Sequence, residues 1–307
     1  MKIYSYGHHA IKEGEKRILG HEFAGEIVEL GKNVKGYEIG MRVGVEPNFG
    51  CGRCRMCCMG LISLCPEYYC YGITVDGAFA EYMRINEMAM FQGNMVPFDD
   101  NTDFDEAALA EPLACCYNGF ESVGTRPGDY VLIVGAGPIG ILHLQLQKLA
   151  GANKVMIADI SEERLKYAGH FSPDVIINSK REDLLDFVMK HTRGRSADIV
   201  ITACPVPDIQ RLSVHLAAKK GRICLFGGLP KGNGIVNIET NLIHYNGIVL
   251  TGTTGSSVAQ YERSLELIMY KRIDTKSLVS KRFTIMNIKE AFDYAGSGKG
   301  LKTIIEF

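Results

Sequence analysis

The sequence predicts an α/β protein with two structural parts, and three observations support this expectation. Residues 1–120 are rich in glycine and carry short runs typical of β-strands. From about residue 121, short apolar runs alternate with helical segments, as in a parallel sheet covered by helices on both faces. A glycine-rich turn joins the first of these runs to the first helix. The predicted fold is therefore a mostly-β domain plus a doubly wound parallel sheet.

The first part is predicted to be a compact lobe of short strands. Residues 26–30 and 42–45 contain the β-branched residues that favour strands, and few long helical periods occur before residue 120. Many glycines separate these runs, so we expect tight turns between the strands.

The second part begins with residues 130–134, an uninterrupted apolar run suited to a strand buried on both faces. Residues 141–149 then have apolar side chains at helical spacing, and residues 154–158 form a second buried strand. The same alternation continues, with apolar runs at residues 175–177, 198–201, 222–226 and 248–250 and predicted helices at residues 183–191 and 208–219.

The C-terminal tail has mixed character again. Residues 261–270 are predicted to form an amphipathic helix, residues 288–295 a shorter helix and residues 302–307 a final strand. We expect this tail to belong to the first part, so that the chain leaves that domain and later returns to it.

Composition restricts the function classes. The chain has 307 residues, 46% hydrophobic and 22% charged, which is ordinary for a globular enzyme. A net charge of −1 gives no reason to expect nucleic acid or an anionic membrane as a partner. No apolar run of about 18 residues exists, and the first nine residues lack a signal peptide's apolar core. Ten cysteines without an export signal predict a reducing cytoplasm and thiolate chemistry, not disulfides.

Four cysteines have the spacing of a metal-binding knuckle: Cys51, Cys54, Cys57 and Cys65. C-x2-C turns bring thiolates together, and four thiolates complete the tetrahedral shell that Zn²⁺ prefers. A shell made only of cysteine has no open position, so this zinc is predicted to be structural. Disulfides, or a cluster of buried free thiols, are the alternatives.

The glycine-rich turn, residues 135–140, has the pattern G-x-G-x-x-G between a predicted strand and a predicted helix. In this context Gly135 permits the tight turn, Gly137 lets the backbone approach a pyrophosphate, and Gly140 allows close packing of helix on strand. The sequence therefore predicts a dinucleotide site. A glycine turn in an unrelated α/β sheet is the alternative.

The helix after this turn begins near Pro138 and Ile139, where free N–H groups and the positive end of the helix dipole favour phosphates. Asp159 ends the next predicted strand, 19 residues after Gly140. Its carboxylate is expected to accept hydrogen bonds from ribose hydroxyls and to repel a 2′-phosphate, which favours NAD over NADP. The alternative is that Asp159 is only a loop residue.

Residues 20–34 have the pattern Gly-His-Glu-x2-Gly-x5-Gly-x2-Val, which resembles the signature of the zinc-containing alcohol dehydrogenases of the medium-chain dehydrogenase/reductase family. Three further segments agree. The cysteine knuckle resembles that family's structural-zinc lobe, and residues 76–82 resemble its DGxFAEY segment. Residues 111–113, Glu-Pro-Leu, resemble the segment before its cofactor domain, notably in the sorbitol and polyol dehydrogenase branch.

The resemblance implies a domain plan and a catalytic metal site. Residues 1–120 and 255–307 would form a GroES-like catalytic domain, and residues 121–254 a Rossmann NAD-binding domain, with the active site in the cleft between them. His21 would be a ligand of a catalytic zinc, and Glu22 and Glu111 would be further ligands or would bind the zinc-held water. A salt bridge or cap is the alternative role for Glu22, and a helix-start acid favoured by the dipole is the alternative for Glu111.

The implied activity is oxidation of a secondary alcohol to a ketone with NAD. An open-site zinc acts as a Lewis acid on the alcohol oxygen, and the protein orients hydride transfer to the nicotinamide. A polyol, a sugar alcohol, a sugar-alcohol phosphate or a hydroxy amino acid is the expected substrate. The family assembles as dimers or tetramers, so we expect a homo-oligomer.

The family pattern usually begins earlier than this sequence, with a cysteine ligand in an ICGSD or ICGTD segment, and no cysteine precedes Cys51 here. We expect a truncated reading frame or a fragment, with weak binding of the catalytic zinc. Loss of the metal site is the alternative, and it would leave a non-catalytic NAD-binding protein stabilised by structural zinc. A relative of quinone reductases, without catalytic zinc, is a third hypothesis. His8 or His9 as substitute ligands is less expected than a mobile terminus.

Other residues receive weaker expectations. Residues 202–206, 226–228 and 251–253 end predicted strands, where ligands bind open α/β sheets. Cys115 and Cys116 are predicted to pack in a core, and Cys204 to be a small apolar filler or a ligand contact.

Overall fold

A computed structural model describes residue 11 and residues 14–307. The chain divides into two compact units, and each is described by itself. One unit runs up to Cys115 and resumes at Gly255, whereas the other comprises Cys116–Thr254. His8 and His9 lie outside the described residues.

The first unit opens with short strands and helices. The strands are Ala24–Glu26 (β1), Arg42–Val45 (β2), Asn48–Phe49 (β3), Tyr69–Cys70 (β4) and Met95–Pro97 (β5), and the helices are Arg55–Cys58 (α1), Glu87–Phe91 (α2) and Phe104–Ala108 (α3). The helix Ala110–Val123 (α4) begins in this unit, and its residues from Cys116 onward belong to the second. β2 is the central strand of an antiparallel sheet with β1 and β5, and β3 pairs with β4. A small core including Ile27, Val45 and Phe49 holds these pieces together.

One predicted strand of this unit lies elsewhere. Residues 26–30 were expected to be extended, but β1 is Ala24–Glu26. Pairing with β2 stops after Glu26 because the partner segment turns at Gly40, whose φ is +90°. Ile27 keeps two backbone hydrogen bonds to that segment: its N–H donates to the Met41 carbonyl at 2.9 Å, and its carbonyl accepts from the Gly40 N–H at 2.8 Å.

The second unit is a six-stranded sheet with helices between the strands. Its strands are Tyr130–Val134 (β6), Lys154–Asp159 (β7), Val175–Asn178 (β8), Ala197–Thr202 (β9), Ala217–Leu225 (β10) and Val249–Gly252 (β11), and its helices are Pro138–Leu149 (α5), Glu162–Gly169 (α6), Leu184–His191 (α7), Pro207–Leu216 (α8) and Thr240–Asn246 (α9). The order is β11-β10-β9-β6-β7-β8, and all neighbours are parallel. This order reverses direction beside β6, as in the doubly wound folds that bind dinucleotides, so the predicted α/β class is confirmed.

Burial on both faces explains why these apolar runs form a parallel sheet. All five residues of β6 are buried, as are the last five of β7, so both faces are covered. The helix expected over residues 208–219 is shorter, because α8 ends at Leu216 and β10 begins at Ala217, which pairs with Ala197 of β9. Ala217 and Ala218 are small and buried, so they fit the sheet better than they would fit a last, solvent-exposed turn of α8.

The return segment completes the first unit. It contains Val258–Met269 (α10), Val279–Thr284 (β12), Ile288–Gly296 (α11) and Lys302–Glu306 (β13), with β12 and β13 paired in parallel. α10 buries Tyr261, Leu265 and Ile268. Its Tyr261 hydroxyl would lie 2.5 Å from a Cβ at Gly44, so only glycine lets the helix pack this closely on β2. Among the described residues, no helix is both long and apolar enough to cross a bilayer.

Candidate metal centres and nucleotide turn

The cysteine knuckle (residues 51–65) brings its four predicted ligands together. The sulfurs of Cys51, Cys54, Cys57 and Cys65 all lie within 4.8 Å of one another. Cys65 Sγ is 3.7 Å from both Cys51 Sγ and Cys54 Sγ. A Cβ at Gly50 would lie 2.7 Å from Cys57 Sγ, so this glycine leaves room for the cluster.

Backbone N–H groups support negative charge on these sulfurs. Cys54 N–H donates to Cys51 Sγ at 3.3 Å, and Cys57 N–H donates to Cys54 Sγ at 3.5 Å. N–H groups of Arg53 and Cys54 lower the pKa of Cys51 to about 6, whereas burial raises the pKa of Cys57 to about 12. Four close thiols cannot all ionise without a cation, and a tetrahedral zinc would supply it. The donor set therefore fits a structural zinc.

The second candidate centre is the His–Glu cluster, His21, Glu22 and Glu111. Their ligand atoms lie within 4.8 Å of one another. His21 and Glu22 precede β1, and Glu111 lies in the first turn of α4. One imidazole nitrogen and two carboxylates are donors that zinc accepts, and they leave a coordination position open. The cluster therefore fits a catalytic zinc rather than a closed structural one.

The His–Glu segment is held by the Asp-Gly-Ala-Phe motif. Gly77 N–H, Ala78 N–H and Phe79 N–H donate to the carbonyls of residues 18, 20 and 19 at 2.8, 2.9 and 2.9 Å. Asp76 accepts from the Ile18 N–H at 3.0 Å. Gly20 has φ +95°, and a Cβ there would meet the Phe79 ring at 2.9 Å. These two motifs are therefore one structural unit that fixes the backbone next to His21.

Electrostatics in the cluster favour a cation. Burial lowers the pKa of His21, although Glu22 opposes this shift, so the imidazole is neutral and has a lone pair to offer. Burial, followed by the carboxylates of Glu22 and Glu46, raises the pKa of Glu111 well above its ordinary value. Burial would also raise the pKa of Glu22, but the charge and hydrogen bond of the Lys302 ammonium lower it overall. A divalent cation would satisfy both carboxylates at once.

Two residues contact this cluster in a way that the sequence did not predict. Lys302 of β13 donates to the Glu22 carboxylate and forms an ion pair with it. Cys115, one helical turn after Glu111, donates its thiol to Glu111 Oε1 at 3.4 Å. Glu22 thus has the salt bridge considered as its alternative role, and it also lies within the cluster.

Glu46 is a third residue that sequence reasoning missed. Its carboxylate is fully buried and accepts from the Asn48 N–H at 3.2 Å, from the Asn48 side chain and from the Ser256 hydroxyl at 2.8 Å. Burial raises its pKa to about 7, and these hydrogen bonds oppose the shift. The contact to Ser256 ties the return segment to the end of β2.

The glycine turn of the second unit has the predicted geometry. Gly135 has φ +116° and donates its N–H to the Ala158 carbonyl at 2.7 Å. A Cβ at Gly140 would overlap the Gly135 carbonyl oxygen, whereas a Cβ at Gly137 would have no neighbour within 4 Å. Gly137 is the N-cap of α5, and Pro138 is its first residue. The N-terminus of α5 is therefore open to a phosphate at Gly137, Pro138 and Ile139.

Asp159 ends β7 beside this turn. Its two carboxylate oxygens accept from the N–H groups of Ala136 at 2.8 Å and Ser161 at 2.9 Å. Each carboxylate oxygen has a second lone pair, so these bonds leave acceptor capacity for a ribose. Asp159 therefore fixes the glycine turn in addition to any contact it makes with a nucleotide.

The remaining predicted positions are distributed as follows. Thr202 ends β9, and Gly227 is packed so closely against the Cys204 backbone that a Cβ would lie 2.5 Å from its carbonyl oxygen. Cys116 is fully buried, as expected, whereas Cys115 is only half-buried. Burial raises the pKa of Cys204 to about 11.

Comparison with known proteins identifies the family. Residues 1–95 match the alcohol dehydrogenase GroES-like domain, and residues 138–269 match the zinc-binding dehydrogenase domain. The chain belongs to the zinc-containing alcohol dehydrogenases. The suspected family, the GroES-like domain and the assignment as an oxidoreductase are thereby confirmed.

Relatives of this chain include an L-threonine 3-dehydrogenase and a sorbitol dehydrogenase. The chain is 35% identical over 291 residues to an L-threonine 3-dehydrogenase of Symbiobacterium thermophilum, covering 94% of this chain and 80% of that protein. It is 31% identical over 307 residues to a sorbitol dehydrogenase of Halalkalibacterium halodurans, covering 99% and 87%.

Solved structures of the same fold contain dinucleotides. A zinc-binding dehydrogenase from Sinorhizobium meliloti 1021, bound to NADP, has a TM-score of 0.90 at 27% identity, with 98% of this chain and 86% of that chain covered. An alcohol dehydrogenase from Escherichia coli CFT073, complexed with NADH, has a TM-score of 0.86 at 25% identity, with coverage of 95% and 84%.

Proposed function

We propose that the protein is a zinc-dependent NAD(H) oxidoreductase that oxidises a secondary alcohol to a ketone. The observation that carries this proposal is the His–Glu cluster, in which one imidazole and two carboxylates lie within 4.8 Å of one another. In this proposal the catalytic domain comprises residues 1–120 and 255–307, and the NAD-binding domain comprises residues 121–254. A structural zinc in the knuckle stabilises the first of these.

The residues of the His–Glu cluster have separable roles in this proposal. Neutral His21 and the Glu111 carboxylate bind the metal ion. The Glu22 carboxylate, which also forms an ion pair with Lys302, offsets part of the positive charge of that ion. A zinc bound there supplies Lewis acidity toward the alcohol oxygen. The Cys115 thiol, one helical turn further along α4, donates to the Glu111 carboxylate and helps to orient it.

The nucleotide is proposed to be NAD rather than NADP. Gly137 and the α5 N-terminus receive the pyrophosphate, and Asp159 accepts from ribose hydroxyls. Glu163 in the first turn of α6 adds negative charge after Asp159, which disfavours a 2′-phosphate, whereas Glu162 is paired with Arg181. Because one structural relative is bound to NADP, the preference needs a direct comparison of both nucleotides.

The substrate class follows from the relatives and from the open position in the cluster. Relatives named for L-threonine and for sorbitol favour hydroxy amino acids and polyols, with sugar alcohols and their phosphates as the wider class. The test is a panel of these alcohols assayed with NAD⁺ and NADP⁺ by absorbance at the reduced nicotinamide band. Turnover of one class with NAD⁺ supports the proposal, and no turnover with zinc-loaded protein contradicts it.

A non-catalytic NAD-binding protein is the second candidate. It is favoured by one observation: the Lys302 ammonium already neutralises the Glu22 carboxylate without a metal ion. That candidate predicts dinucleotide binding, one zinc per chain and no hydride transfer. A homo-oligomer, either a dimer or a tetramer, and a cytoplasmic location remain predictions, which gel filtration with light scattering and cell fractionation test.

A further inference from the structure

Glu46, which follows β2, is a buried carboxylate that has no positive charge beside it. It is fully buried, and it accepts hydrogen bonds from the Asn48 N–H, the Asn48 side chain and the Ser256 hydroxyl. Among the residues that the structure describes, no lysine, arginine or histidine forms an ion pair with it. A buried carboxylate without a counter-charge costs free energy, and burial accordingly raises its pKa to about 7. A cation close to Glu46 would therefore stabilise its ionised form.

Backbone contacts place Glu46 near the His–Glu cluster. The Tyr71 N–H, directly after β4, donates to the carbonyl of the residue after Glu46 at 3.1 Å. Gly72 then packs so closely on the His–Glu segment that a Cβ would lie 2.5 Å from the Gly20 carbonyl oxygen. Gly20 immediately precedes His21. Two close backbone contacts, both within the first unit, therefore connect Glu46 to the segment that carries the metal ligands.

The charges of Glu46 and Glu111 influence the same side chains. Burial is the largest cause of the raised pKa of Glu111, and the Glu46 carboxylate adds to the shift. Burial also raises the pKa values of Tyr68, Cys70 and Tyr261, and the charges of Glu46 and Glu111 both contribute. These groups, from β4 and the residue before it, from α10 and from α4, are the titratable groups that face Glu46, and each of them is neutral or negative. A zinc ion held by Glu111 would therefore be close enough for the Glu46 carboxylate to attract it.

The charges of the proposed metal centre do not balance without Glu46. A zinc ion and the Lys302 ammonium carry three positive charges, whereas the Glu22 and Glu111 carboxylates carry two negative ones. An unbalanced buried charge is unfavourable, and an ionised Glu46 would offset it. We propose that Glu46 is a third carboxylate of this centre, one that stabilises the zinc ion by its charge without binding it. The inference rests on the metal centre of the proposed function, and the proton of Glu46 leaves to solvent when zinc binds.

The variant Glu46→Gln separates the charge from the hydrogen bonds. Its amide oxygen can accept from Asn48, and its amide N–H can donate to the Ser256 hydroxyl, so we expect the wild-type fold. Circular dichroism and a urea titration check this expectation. Glu29→Gln is the control, because it removes one negative charge from an exposed position of the same unit.

The test is the zinc dissociation constant of the His–Glu cluster at pH 8 and pH 6, measured by competition with a chromophoric chelator. His21→Ala, which keeps only the knuckle zinc, provides the background. If an ionised Glu46 strengthens zinc binding about tenfold, Glu46→Gln is expected to have a dissociation constant about ninefold above that of the wild type at pH 8. At pH 6 the expected difference is about twofold, because a carboxyl group with a pKa of about 7 is then mostly protonated. Glu29→Gln is expected to match the wild type at both pH values.

Ser256→Ala gives a second test that keeps the carboxylate. The Ser256 hydroxyl lowers the pKa of Glu46, so its loss raises that pKa further. The pH at which zinc affinity increases is therefore expected to be higher in Ser256→Ala than in the wild type. An unchanged pH profile would contradict the role of Glu46 even if Glu46→Gln did not fold.

Equal dissociation constants of the wild type and Glu46→Gln at pH 8 would overturn the inference. A ratio of the two constants that is the same at pH 6 and pH 8 would also overturn it, since such a result reflects altered geometry and not the loss of a charge. Either result leaves the metal centre itself in place. A wild type whose zinc content equals that of His21→Ala would overturn the proposed metal centre and this inference with it.

Discussion

His143 gives a stability prediction with a definite magnitude. Its ring lies in α5, fully buried, and contacts the edge of Phe226 with ring centroids 4.7 Å apart. Neither ring nitrogen has a hydrogen-bond partner among the described residues. Burial lowers the pKa of His143 from 6.5 to about 3. The folded chain therefore keeps this imidazole neutral at every pH above about 3.

The sign of the pH dependence follows from the lowered pKa. Below pH 6.5 the unfolded chain binds a proton at His143 that the folded chain does not bind, so stability falls as pH decreases toward 3. At pH 5.5 the loss is about 1.4 kcal/mol relative to neutral pH, and it approaches about 5 kcal/mol below pH 3.

The perturbation is His143→Leu, which removes the titration and both unpaired nitrogens. The free energy of unfolding is measured with urea by far-ultraviolet circular dichroism at pH 7.5 and 5.5, because the chain has no tryptophan to report by fluorescence. The wild type is expected to lose about 1.4 kcal/mol more than the variant between these pH values. At pH 7.5 the variant is expected to be as stable as the wild type or more so, since an unpaired buried polar group costs about 1–3 kcal/mol.

The control is His170→Leu at an exposed position of the same unit, which removes a histidine without changing the buried site. Equal losses for the wild type and His143→Leu between pH 7.5 and 5.5 would refute the reasoning. They would mean that the buried ring is charged or hydrogen-bonded in the folded protein.

Three further predictions concern the sites. Cys54→Ser is expected to remove one zinc per chain and to destabilise the first unit while nucleotide binding remains; unchanged zinc content measured by inductively coupled plasma mass spectrometry would contradict the knuckle assignment. Asp159→Ala is expected to weaken NADH binding more than NADPH binding in titrations that follow the fluorescence of the reduced nucleotide, and an unchanged ratio of the two dissociation constants would remove Asp159 from the ribose site. Gly137→Ala is expected to fold normally yet to bind NAD at least about tenfold more weakly. Gly140→Ala is expected to lose stability as well, because a Cβ at residue 140, unlike one at residue 137, would overlap the Gly135 carbonyl oxygen. Equal melting temperatures for the two variants would contradict this difference.

The parts that the sequence predicted well depend on short-range patterns. The knuckle ligands span 15 residues, and the nucleotide turn needs only a strand, three glycines and a helix start. Turn geometry and helix periodicity determine both, so spacing along the chain is informative. Buried apolar runs and the alternation of strand and helix likewise predict the parallel sheet, although not the order of its strands.

The parts that it did not predict depend on distant contacts. Lys302 reaches Glu22 across 280 residues, and Ser256 reaches Glu46 across 210. No local pattern marks such pairs, because the register of β13 and the path of the return segment decide them. The hydrogen bonds from residues 77–79 to residues 18–20 are a further contact that the sequence did not predict. Both motifs can be recognised in the sequence, but the sequence does not show that they bind each other.

Zinc content of the wild type and of His21→Ala tests the central claim most directly. The His–Glu cluster and the knuckle predict two zinc ions per chain in the wild type and one in His21→Ala, with the knuckle zinc retained. A His21→Ala variant with the wild-type zinc content, or a wild type that binds only the knuckle zinc, would contradict the assignment of the His–Glu cluster as a catalytic metal centre.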